Sequence, residues 1–219
     1  GSIDIGGETV TCTKKHGEVT FEDALAVSCN VAFAQITAEL GADTLARYVD
    51  ACGVTAKGSI SGISVAAGKF DEAEDGTAQL AWSGIGQYND LVTPVSMARF
   101  AGAAANGGEA AALKLLKKYS LPAGAVRVMK KETAEKLASM MNYNVHRTYG
   151  EENYPGLALC AKSGTAEVGG GAPPHAWFAG FITNEGHPLA FAVVVENGGA
   201  GNAVAGAVAN AVLQFAIDS

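Results

Sequence analysis

Three short apolar runs, each bounded by turn residues, constrain this chain more than any other feature. Residues 157–168, 176–183 and 189–196 are rich in Val, Phe and Ala. Gly169-Gly170-Gly171 and Pro173-Pro174 separate the first two runs, and Asn184-Glu185-Gly186 separates the second and third. Their length and their Gly/Pro flanks favour strands over buried helices. The connections are too short for a parallel crossover, so the three runs read as an antiparallel meander. Helical patterns precede the meander and one follows it. The fold class is therefore α+β: a helical lobe over about 20–145, then a sheet of about three strands with a C-terminal helix over about 157–218.

Local signals fill in the rest. Residues 2–5 and 8–11 flank Gly6-Gly7 as a two-residue hairpin should. Thr20 followed by Asp23 is a capping box that opens a helix through Ala24 and Leu25. The pattern breaks at Ser28-Cys29-Asn30, resumes through Phe33, Ile36 and Leu40, and stops at Gly41. Asp43 is expected to cap a further short helix ending near Gly53. Residues 55–89, rich in Gly, Ser and Ala with weak periodicity, read as a long irregular connection. Thr93-Pro94 starts a helix that ends at Asn106-Gly107-Gly108. Another helix runs from 131 to about 145 with Leu137, Met140 and Met141 on its apolar side, and a last one covers about 203–217.

Composition excludes several functions. A chain of 219 residues, 48% apolar and 17% charged, builds its own core without disulfides or metal. The net charge is -7, and no block of like charge is longer than the acidic patch at 71–75, so nucleic acid is not an expected partner. Cys12, Cys29, Cys52 and Cys160 form no Cys-x-x-Cys pair and read as free thiols, and the four histidines lack ligand spacing. No metal and no cofactor are expected. The longest apolar run, 189–195, is too short to cross a bilayer, and no signal peptide is recognised.

Lys162-Ser163-Gly164-Thr165 lies near the middle of the first run of the meander. On a strand Ser163 and Thr165 share one face, and Lys162 and Gly164 share the other. Gly164 lets another group approach the backbone, and two hydroxyls with a free N–H suit a carboxylate or an oxyanion. The competing explanation is a solvated edge with a glycine bulge. A phosphate loop is excluded because Ala161, not glycine, precedes the Lys-Ser pair. Ser28-Cys29-Asn30 is the only Ser-x-Asn in the chain; taken alone, it fits an ordinary helix stop and N-cap.

Taken together, a Ser-x-Asn in a helical region and a distant Lys-Ser-Gly-Thr on a strand make up two thirds of a known motif set. The chain resembles the transpeptidase domain of penicillin-binding proteins, most closely the class B type, over nearly its whole length. The segments "HGEVTFEDALAVSCNVAFAQIT", "GIGQYNDLVTPVSMARFAGAAANGG", "AKSGTAE", "HAWFAGF" and "AFAVVVENGG" carry the likeness, in the family's order. The resemblance implies serine-type D,D-transpeptidation: a serine attacks a D-Ala-D-Ala bond of a peptidoglycan stem peptide, and the acyl group passes to a neighbouring stem. It also implies binding of β-lactam antibiotics, which mimic that substrate. By position, Ser28 relays protons to the leaving group, Asn30 holds the acyl side-chain amide, and Lys162 supplies positive charge near Ser28. Ser163 and Thr165 hold the terminal carboxylate, Gly164 leaves room for it, and the Thr165 N–H is one oxyanion donor.

One departure is large. The family's nucleophile motif, Ser-x-x-Lys, is absent; Ser96-Met97-Ala98-Arg99 ends in arginine, which cannot serve as a base. In the family the nucleophile precedes the region where this chain starts, so the expectation is a truncated domain, inactive alone. A serine β-lactamase or β-lactam sensor, and a non-catalytic binding module of the same fold, are the alternatives. The resemblance further implies a parent acting on the extracytoplasmic face of a bacterial membrane, held by an N-terminal anchor. Two structural expectations follow. Ser28 and Lys162 should meet at about 3 Å. The uncharged edge 189–195 should pair with a second copy, giving a homodimer.

Overall fold

The computed structural model describes residues 1–115 and 124–219. β1 (Ser2–Ile5) and β2 (Glu8–Thr11) form the expected hairpin, with Ile5 opposite Glu8. Gly6 and Gly7 both have positive φ, as a tight two-residue turn demands. Gly6 is fixed twice over, since a Cβ there would stand 2.7 Å from the carbonyl oxygen of Gly76. Val10 of β2 is fully buried against Ala34 and Ala81, which ties the hairpin to the helices.

Those helices begin where capping chemistry starts them. In α1 (Phe21–Ala26) the Thr20 hydroxyl accepts the Asp23 N–H at 3.1 Å. α2 (Asn30–Leu40) stops at Gly41. α3 (Ala42–Cys52) has the expected extent and ends at a left-handed Gly53, but Asp43 does not cap it. The cap comes from 33 residues away: Asp75 Oδ1 accepts the Ala42 N–H at 2.7 Å. A long-range carboxylate thus takes the role that local spacing assigns to Asp43. The segment 55–89 also departs from expectation. It holds a hairpin, β3 (Gly58–Ile60) with β4 (Ile63–Val65), and a short helix, α4 (Ala78–Ser83), capped by Thr77. Ala78, Leu80 and Ala81 of α4 are buried, so tertiary packing stabilises a helix whose six residues show no periodicity of their own. α5 (Pro94–Ala105) is capped by Thr93, and a small pair, β5 (Glu109–Ala110) with β6 (Val126–Arg127), follows. α6 (Lys131–Asn144) continues into a π-helical turn, Val145–Tyr149.

The meander forms as expected: β7 (Leu159–Ala166), β8 (His175–Ile182) and β9 (Ala190–Val195), antiparallel in that order. Alternation of side chains gives it two apolar faces. Ala161, Ala176, Phe178 and Ile182 pack with Ala205, Ala209 and Leu213, which belong to a π-helical turn (Asn202–Gly206) and to α7 (Ala207–Ile217). Cys160 and Phe181 point the other way, onto Ala104 of α5 and Met141 of α6. The sheet is therefore sandwiched between α7 and the helical lobe, and the outer edge of β7 runs along the seam with that lobe.

Candidate active site

Ser28 sits where a helix normally ends in glycine. Its N–H bonds to Leu25 O and the Cys29 N–H bonds to Ala24 O, the paired closure of a Schellman turn. The residue at its centre must be left-handed, and Ser28 has φ 52°. For a serine this costs about 1 kcal/mol, which glycine would avoid. Glycine has no hydroxyl, however, and here the hydroxyl receives a hydrogen bond from the Lys162 ammonium, with Nζ–Oγ 2.5 Å. Ser28 is one of four non-glycine residues with positive φ among the described residues, and of these only its side chain meets Lys162. Asn30 opens α2 on the next turn; its Nδ2 donates to Thr11 O at 2.8 Å, which orients the amide against β2. Its Oδ1 accepts no hydrogen bond among the described residues.

The other wall is the outer edge of β7, where every second residue points its backbone groups away from β8. The end of α6 and the turn after it satisfy these groups in sequence. Asn142 Nδ2 donates to Leu159 O at 3.1 Å, and the fully buried Asn144 donates to Ala161 O at 2.7 Å. The Tyr149 hydroxyl accepts the Ser163 N–H at 2.6 Å and donates to Ser163 Oγ at 2.9 Å. Lys162 Nζ curls over the edge onto Ser163 O at 2.8 Å. By the same alternation the next outward amide is the Thr165 N–H, and it has no acceptor among the described residues. Thr165 Oγ1 accepts the Gly201 N–H at 3.3 Å. Both hydroxyls therefore accept from the protein and keep their own hydrogen free for a ligand. Ser163 and Thr165 lie on the α7 side of the strand and Lys162 on the Ser28 side, so a ligand along the edge meets donors from both. Gly164 has an additional packing reason: a Cβ there would lie 3.2 Å from that of Trp177.

Lys162 makes no ion pair among the described residues. Burial pushes its ammonium down to about 8 from an ordinary 10.5. Near neutral pH it is still mainly charged, yet giving up the proton costs only about 1.4 kcal/mol per unit of pH below that value. It can stabilise an anion and can also exchange a proton with Ser28.

Sequence reasoning missed Tyr149, Asn142 and Asn144. Their donors act across strand and helix, and no local pattern marks them. The four cysteines are free thiols, as expected, and the hairpin brings Cys12 Sγ to 3.7 Å from Cys29 Sγ, with His16 beside them, a proximity that sequence spacing does not show.

A three-layer fold thus sets a Ser-x-Asn turn against a Lys-Ser-Gly-Thr strand at one open edge. The chain belongs to the penicillin-binding protein transpeptidase domain family, whose model matches residues 4–214. It is 30% identical over 217 residues to the peptidoglycan D,D-transpeptidase PbpA of Mycobacterium tuberculosis, covering 91% of this chain and 44% of that protein. The PbpA of Mycolicibacterium smegmatis is 29% identical over the same span. The chain thus spans less than half the length of the curated relatives it matches. Among solved structures, the ceftriaxone acyl-enzyme complex of M. tuberculosis penicillin-binding protein A superposes with a TM-score of 0.87 at 27% identity, covering 99% of this chain and 54% of that one. The D,D-transpeptidase domain of a peptidoglycan glycosyltransferase from Eggerthella lenta gives 0.87 at 25% identity, covering 100% and 58%.

Proposed function

We propose that this chain supplies two walls of the acyl-transfer site of a peptidoglycan D,D-transpeptidase that cross-links stem peptides and binds β-lactams. The contact of Lys162 with Ser28 across 134 residues carries this reading, because it joins the two motifs at one open edge. In the reaction Lys162 stabilises negative charge and Ser28 passes a proton to the leaving amine. Asn30 accepts from the acyl side-chain amide, and the hydroxyls of Ser163 and Thr165 hold the carboxylate beside Gly164. The Thr165 N–H stabilises the oxyanion. Residues 20–145 and 157–218 act as the two lobes that flank this edge. The nucleophile comes from a Ser-x-x-Lys helix outside these residues, in a protein acting on the extracytoplasmic face and held by an N-terminal anchor.

The test begins by reading the coding sequence before residue 1 for an in-frame Ser-x-x-Lys. A chain extended to include it should gain one stoichiometric penicillin adduct by intact-mass spectrometry, whereas the 219 residues alone gain none. Lys162→Met in the extended chain should slow acylation by about 10²–10³-fold. An adduct on a serine of the short chain, or an unaffected Lys162→Met rate, would overturn the reading.

A second element of the proposal is a homodimer of the 219-residue chain through β9. Its outer edge has no strand partner among the described residues, and residues 190–195 are uncharged, a template for edge-to-edge pairing. Light scattering over a concentration series should show dimers, with the β9 amides protected from exchange. A monomer whose β9 amides exchange freely would rule this out.

A further inference from the structure

The chain that leaves β2 turns back over the Ser-x-Asn loop and places Cys12 and His16 against Cys29. The two sulfurs are 3.7 Å apart, and one ligand atom from each of the three residues lies within 4.8 Å of the others. Both nitrogens of His16 are closed off from solvent and have no hydrogen-bond partner among the described residues. A buried polar atom without a partner costs about 1–3 kcal/mol, and an imidazole with both nitrogens orphaned is therefore an anomaly in a well-packed turn. A bound cation would relieve half of it by taking one nitrogen as a ligand, the other nitrogen keeping its hydrogen.

The spacing identifies the kind of cation. Two thiolates at about 2.3 Å from a tetrahedral centre stand about 3.8 Å apart, close to the spacing found here. An S–S bond needs about 2.05 Å, so a disulfide would require the sulfurs to close considerably and would leave His16 unsatisfied. Two sulfurs and one imidazole select a borderline-soft ion over Mg²⁺ or Ca²⁺. We propose that Cys12, His16 and Cys29 form a Zn²⁺ site, with a water molecule as the fourth ligand. Binding deprotonates both thiols, so two protons leave as one Zn²⁺ arrives and the site becomes neutral. The ion would lie directly beneath the Ser-x-Asn turn, because Cys29 separates Ser28 from Asn30. It would clamp that turn to β2, alongside the Asn30–Thr11 hydrogen bond. The inference is independent of the proposed reaction.

The test uses the purified 219-residue chain, reduced, stripped with chelator and handled without oxygen. Co²⁺ should bind one equivalent with thiolate-to-metal charge-transfer absorption and the visible bands of a tetrahedral ion. Zn²⁺ should displace it and raise Tm. Loss of an outer-shell partner alone costs 10–100-fold in affinity, so Cys12→Ser, Cys29→Ser and His16→Gln should each weaken Zn²⁺ binding by more than about 100-fold. Cys52→Ser and Cys160→Ser should leave it unchanged. Circular dichroism of each variant separates lost ligation from lost folding; if Cys12→Ser is folded and binds Zn²⁺ as before, the site is wrong. Absence of charge-transfer absorption, or a Cys12–Cys29 disulfide that persists after reduction, would equally overturn it.

Discussion

Phe178→Ala is expected to lower the unfolding free energy by about 3–5 kcal/mol, the range for truncating a buried aromatic. Phe178 has no exposed surface and lies at the centre of the larger apolar face of the sheet. Its ring stacks on Tyr154 at 5.8 Å with planes 6° apart, and packs on Tyr149 at 5.5 Å and Phe191 at 5.8 Å. Three aromatic rings would lose a wall together, and their shapes limit how far the space can collapse. Domains are commonly stable by only about 5–15 kcal/mol, so much of the total is at stake. The damage should reach the site, because Phe178 is opposite Ser163 in the sheet and supports the Tyr149 ring that fixes it. Urea unfolding followed by circular dichroism measures the loss. A decrease below about 1 kcal/mol would mean that Phe178 is not the keystone of this core.

Lys162→Met should act in the opposite direction at neutral pH and stabilise the folded chain. The fall from 10.5 to about 8 means that folding disfavours the Lys162 ammonium. At about 1.4 kcal/mol per pH unit, the charged form costs roughly 3 kcal/mol. Methionine removes this cost but forfeits the hydrogen bonds to Ser28 and Ser163 O, leaving a net gain of about 1–3 kcal/mol. The sign with pH is determined. Below pH 8 both folded and unfolded chains are protonated at Lys162, and the penalty is complete. Between about 8 and 10.5 the unfolded chain binds the additional proton, so wild-type stability rises and the gain of the variant shrinks. Paired melting curves from pH 7 to 10 provide the test. A variant less stable at pH 7, or a difference independent of pH, would contradict a destabilising ammonium at this edge. Gain in stability with loss of acylation is the trade-off that the role proposed for Lys162 entails.

The sequence alone determined what depends on neighbours along the chain. The Gly6-Gly7 turn, the Thr20 and Thr93 caps, the breaks at Ser28 and Gly41, and the three strands all arise from rules acting over a few residues, and all form. Both motifs were legible for the same reason, as was the division of Lys162 from Ser163 and Thr165 by strand alternation. Tertiary structure decided what depends on groups far apart. Asp75 rather than Asp43 caps α3, and burial makes a helix of 78–83. The end of α6 occupies three backbone groups on the β7 edge and stops one residue pair short of the Thr165 N–H. The pairing of Lys162 with Ser28, and of Cys12 with Cys29 and His16, exists only once the lobes and the hairpin have closed. No local period encodes such contacts, because they are selected by burial and by the need to satisfy each enclosed polar group.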